Sequence, residues 1–63
     1  MMTTYEKNYK NRLSEMLGEL IHKYGFEDER VIFFATCKEK VEKQATYQNR
    51  EKMEKMFNAL RRS

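Results

Sequence analysis

The stretch KYGFEDERVIFFATCKEK, Lys23 to Lys40, decides the fold class. Its centre, Val31 to Ala35, is apolar or small, and Val31, Ile32, Phe33 and Phe34 each favour a strand by intrinsic preference. A strand there has no evident strand partner in a chain of 63 residues, whereas helical spacing continues through Val31, Phe34, Cys37 or Lys38, Val41 and Ala45. The spacing predicts a buried helix segment. Just upstream, Gly25 can adopt positive φ without a Cβ clash and so stops the preceding helix. Phe26 covers the turn, and Glu27, Asp28 and Glu29 stand where carboxylates oppose the positive end of a new helix. That placement explains the acidic triplet better than metal binding does.

Working towards the N-terminus, Tyr5, Tyr9, Leu13, Met16, Leu17, Leu20, Ile21 and Tyr24 recur at three- and four-residue steps and form one stripe. Thr3 and Glu6 have the spacing of a capping box, so a first helix is expected over about residues 4–24. Gly18 lies inside this pattern, where it costs helix stability and can also serve close packing at a helix crossing.

Towards the C-terminus, helical character is expected over about residues 28–61, with a bend open at 46–49, in Ala45-Thr46-Tyr47-Gln48-Asn49-Arg50. At 3.6 residues per turn, Met53, Met56 and Leu60 fall on a stripe about a quarter turn from that of Phe34 and Val41. Either a bend returns a third segment to the core, or one helix of about 35 residues, about 50 Å long, outruns a first helix of about 30 Å. The expectation is a single small all-α domain over residues 1–63: an antiparallel helical hairpin with a long or bent second helix, or a three-helix arrangement. The length mismatch of the unbroken form implies a homodimer in which Met53, Met56, Phe57 and Leu60 pack across the subunit boundary.

Sixty-three residues bury a smaller share of their surface than an average domain, so self-association is a natural supplement to a thin core. Cys37 is the only cysteine, which excludes an internal disulfide and a multi-cysteine zinc site and suits a reduced compartment. No leader pattern and no apolar run of membrane-spanning length is present, so a cytoplasmic location without membrane contact is expected. Converging reactive groups are missing too. His22 has no second histidine four residues away and is suitably placed as a charge near a helix C-terminus. No glycine-rich phosphate loop occurs, and the expectation is a protein without enzymatic activity, cofactor or metal.

The formal charge of +3 is unevenly spread. Met1 to Cys37 carries five Lys/Arg and six Asp/Glu, whereas Lys38 to Ser63 carries eight and four. If nucleic acid is the partner, Arg50, Lys52, Arg61 and Arg62 are the candidate contacts, although Glu39, Glu42, Glu51 and Glu54 interrupt the basic region. Otherwise the surplus apolar residues point to a protein partner, a copy of the chain or another protein. Ile32 and Phe33 lie towards opposite edges of the second stripe, beyond easy cover by the first helix. With Tyr47, an aromatic that can anchor a partner, and Met53, Met56, Phe57 and Leu60, they make up the candidate binding surface.

The span DERVIFFATCKEKVEKQ, Asp28 to Gln44, resembles the central helix of the small enterobacterial modulators that bind nucleoid-structuring proteins, with an acidic start, an aromatic pair and then small residues. The resemblance covers about a quarter of the chain. Lys38, Glu39 and Lys40 stand where that family carries an Asp-His-Arg triplet, and its late tryptophan is absent, so none of its binding residues carries over. What the resemblance implies is a small regulatory protein with a protein partner. The leading expectation is therefore a helical interaction or regulatory module that self-associates, and the alternative is a small basic nucleic-acid binder.

Overall fold

The computed structural model describes residues 4–62 and, within them, every side chain except those of Tyr5 and Glu6. The Thr3 and Glu6 capping box, and the place of Tyr5 on the first stripe, lie outside the described residues. Three helices pack together: α1 (Thr4–Tyr24), α2 (Glu29–Glu42) and α3 (Tyr47–Arg62). Each touches the other two, which makes a three-helix bundle measuring 33 × 19 × 15 Å.

The first joint forms as its residues dictate. The Gly25 amide donates to the Ile21 carbonyl at 2.7 Å, and Gly25 takes φ of 94°, a left-handed value that a Cβ would strain. Asp28 then caps α2, its Oδ1 accepting from the Arg30 amide at 2.8 Å, while the Arg30 guanidinium donates back to both carboxylate oxygens at 2.8 Å. These bonds hold the Asp28 carboxyl down from its ordinary value near 3.8 to about 2. A carboxyl depressed on folding contributes stability that is complete above its unfolded value and disappears as pH falls through the folded one. The melting-temperature advantage of the wild type over Asp28→Asn is thus expected to shrink between pH about 4 and about 2. An advantage that stayed constant on acidification would contradict this.

The second joint resolves what the sequence left open. Helix α2 ends at Glu42, residues 43–46 leave the helical path, and Thr46 starts α3 by accepting from the Asn49 amide on Oγ1 at 3.1 Å. Asn49 also reaches back, its Nδ2 donating to the Gln44 carbonyl at 2.7 Å. The break lies just ahead of the expected 46–49 segment, and its effect is the one the rotated stripe demanded: Met53 and Phe57 turn onto the same core as Phe34 and Val41. The unbroken helix of about 50 Å does not form, and with it goes the length mismatch that motivated a terminal interface.

Tyr9, Leu13, Met16 and Leu20 of α1 meet Val31, Phe34 and Val41 of α2 and Met53 and Phe57 of α3, all nine buried. Phe34 and Phe57 pack edge to face, with centroids 6.3 Å apart and planes at 62°, the offset geometry that aromatic quadrupoles favour. At one end Tyr24 joins all three helices. Its hydroxyl donates to the Leu60 carbonyl at 2.8 Å, while the Arg30 guanidinium lies 3.5 Å from its ring centroid. Lys23 donates to the Arg61 carbonyl at the same end.

Gly18 does not mark a helix crossing: it is exposed, and a Cβ built there meets nothing within 4 Å. Gly18→Ala is therefore expected to stabilise the fold by about 0.8 to 1 kcal/mol, the helix-propensity difference. Gly25→Ala meets no atom either, yet at its positive φ it is expected to destabilise by about 1 kcal/mol. Urea denaturation of the two variants beside the wild type checks the opposite signs.

Candidate functional site

Once the core is closed, the apolar residues left over concentrate on α2. Its inner face, Val31, Phe34 and Val41, is spent on α1 and α3. Ile32 and Phe33 remain 54% exposed each. One turn further on lie Thr36 and Cys37, and together these four line a shallow, mostly apolar groove closed at one end by Glu29 and at the other by Lys40. Cys37 is a free thiol, partly buried against the core. The Thr36 hydroxyl donates to the Ile32 carbonyl at 2.9 Å, so the polar atom in the middle of the groove is satisfied by its own helix. Among the described residues neither Glu29 nor Lys40 forms an ion pair, in contrast with Lys38 and Glu42, which pair with one another at 2.5 Å.

The other residues of the expected binding surface divide. Tyr47 is 69% exposed at the start of α3. Met53 and Phe57 are buried inside the chain's own core, and Met56 and Leu60 are partly buried against it, so this quartet faces α1 and α2 instead of solvent. Phe26, expected to cover the turn, is instead 76% exposed in the first joint. The signal for it was available, since a turn as short as 25–28 has little beneath it to bury a phenyl ring.

The basic candidates do not converge. At about 100° per residue, Lys52 lies about 200° around α3 from Arg50 and Arg62 lies about 120° from it, while Arg61 returns to within about 20° some 16 Å along the axis. Arg61 is also engaged, its guanidinium 5.5 Å from the Phe57 centroid. Arg12 lies 5.9 Å from the same centroid and donates to Glu54 at 3.1 Å, a bond that raises the Arg12 pKa further. Arg12 and Arg61 thus lie against a core ring as well as offering charge to solvent.

His22 is exposed in the last turn of α1. Among the described residues no group of three His, Cys, Asp or Glu side chains is placed to hold a metal ion, and no helix is long and apolar enough to cross a membrane. No family model matches the chain, and neither the curated proteins nor the solved structures include a match to it.

Proposed function

We propose that the protein is a non-enzymatic helical interaction module that binds protein through the outer face of α2. The observation that carries this reading is the pair Ile32 and Phe33, left half exposed on a helix whose opposite side is already fully engaged in the core. A single exposed apolar residue is ordinary, but two adjoining ones that share a groove with Thr36 and Cys37 form a contiguous apolar patch, which supports a contact site there. The patch sits on a helix, so it is presented rigidly, and a phenyl ring supplies large contact area at a small cost in side-chain entropy. Phe33 would anchor the contact, with Ile32 beside it and Glu29 and Lys40 forming a polar rim.

A photo-crosslinking residue in place of Phe33, introduced into the full chain in its native cells, tests the reading. A light-dependent protein adduct at that position, absent when the same residue replaces exposed Lys52 on α3, is expected. No adduct at position 33 would overturn it.

A further inference from the structure

We propose that the partner seated on the outer face of α2 is a second copy of the chain, bound antiparallel about a two-fold axis that passes between residues 34 and 35. The inference rests on the interaction reading above and names its occupant. The argument is self-complementarity. A two-fold interface uses the same patch twice, so that whatever residue i of one copy meets must meet residue i of the other in return. In this register Glu29 faces Lys40 of the second copy, Ile32 faces Cys37 and Phe33 faces Thr36, and each pairing occurs twice. The outer strip of α2 meets the requirement because it is acidic at its start, apolar in its middle and basic at its end. A parallel pairing would set Glu29 against Glu29 and Lys40 against Lys40, with like charges opposed at both ends.

Size sets the strength. Helix α2 has 14 residues, and a strip about 20 Å long lies at the lower end of specific interfaces, so a reversible dimer with a dissociation constant in the micromolar range is expected. The register also separates the two thiols. Cys37 of each copy lies about 7 Å along the axis from its mate, across helices about 8 to 10 Å apart, beyond the reach of a disulfide.

An acid in the first turn and a base in the last also favour any isolated helix, and the experiment must separate that role from pairing. Sedimentation equilibrium from about 10 µM to about 1 mM compares the wild type, Glu29→Lys, Lys40→Glu, an equimolar mixture of these two, and the double variant Glu29→Lys/Lys40→Glu, with helical content followed by circular dichroism. Each single reversal opposes like charges at both ends and is expected to weaken the dimer about tenfold. The mixture and the double variant restore opposite charges across the interface and are expected to recover wild-type association, although the double variant has both charges wrong for the helix dipole. Thr36→Arg, at the centre of the strip and exposed, is expected to abolish the dimer and retain the fold even if a reversal at an end loosens the helix.

A wild type that stays monomeric at every concentration overturns the inference, as do single reversals that associate like the wild type. A double variant as weak as its parents overturns the antiparallel register. If the chain is monomeric and the position-33 crosslink goes to a different protein, the second copy is excluded and the interaction reading stands. If that crosslink captures nothing, both fall.

Discussion

Replacing Phe34 by alanine is expected to remove a large share of the chain's stability and to lower its melting temperature by more than about 10 °C. The ring is fully buried, and its edge-to-face contact with Phe57 joins α2 to α3 in the middle of the core. Truncating a buried phenylalanine costs about 3 to 5 kcal/mol, the lost transfer energy together with the cavity left behind. Against this, at about 0.05 to 0.15 kcal/mol per residue, a chain of 63 residues has about 3 to 9 kcal/mol in all. Few neighbouring side chains can collapse into the gap in so small a bundle, so the cost should fall towards the upper part of its range. A thermal melt by circular dichroism checks it. At 4 to 8 °C per kcal/mol for domains near this size, a loss of only about 5 °C would show that the Phe34 and Phe57 contact does not anchor the core.

Introducing an aspartate at Met53 and at Ile32 is expected to give opposite outcomes from the same chemistry. Met53 is fully enclosed by the core, and an unpaired carboxylate there costs several kcal/mol in desolvation besides the packing lost with the thioether, which should abolish the fold. Ile32 is half exposed on α2, so Ile32→Asp should stay within about 0.5 to 1 kcal/mol of the wild type in stability. The comparison also separates the three-helix bundle from a hairpin whose C-terminal stripe packs only against a second chain. In the hairpin, Met53→Asp would yield a folded monomer, whereas in the bundle it yields an unfolded chain at any concentration. Met53→Leu, close in volume and apolar, should cost less than about 1.5 kcal/mol and so shows that the charge, and not the position alone, is responsible.

Much of this arrangement was legible in the residues. The stripe from Tyr9 to Tyr24, the stop at Gly25 and the start at Asp28 are local features, set by periodicity, positive φ and capping chemistry within a few positions of one another. The helical reading of Val31 to Ala35 was accessible only by overriding strand preference with spacing, since Val, Ile and Phe favour pleated surfaces when read singly. The break before α3 was half legible. The quarter-turn rotation of the Met53 stripe announced it, and Thr46 with Asn49 three residues later supplies the cap, but the hydroxyl-to-amide bond and the return of Asn49 to Gln44 are chosen only when the chain turns there.

The interaction surface divides along the same line. Ile32, Phe33 and Tyr47 could be named from the sequence because periodicity alone puts them off the core stripe. Met53, Phe57, Met56 and Leu60 could not be sorted from them, because an apolar stripe reads alike whether it faces its own chain or another. Sequence by itself therefore determined the helical class, the position of the first joint and the shortage of reactive groups, all matters of neighbouring residues and composition. Tertiary structure alone decided that α3 returns to cover α1 and leaves the outer strip of α2 bare. That choice depends on burying Met53 and Phe57 against residues a dozen or more positions away, a gain realised only after the turn at 43–46 has brought the helices together.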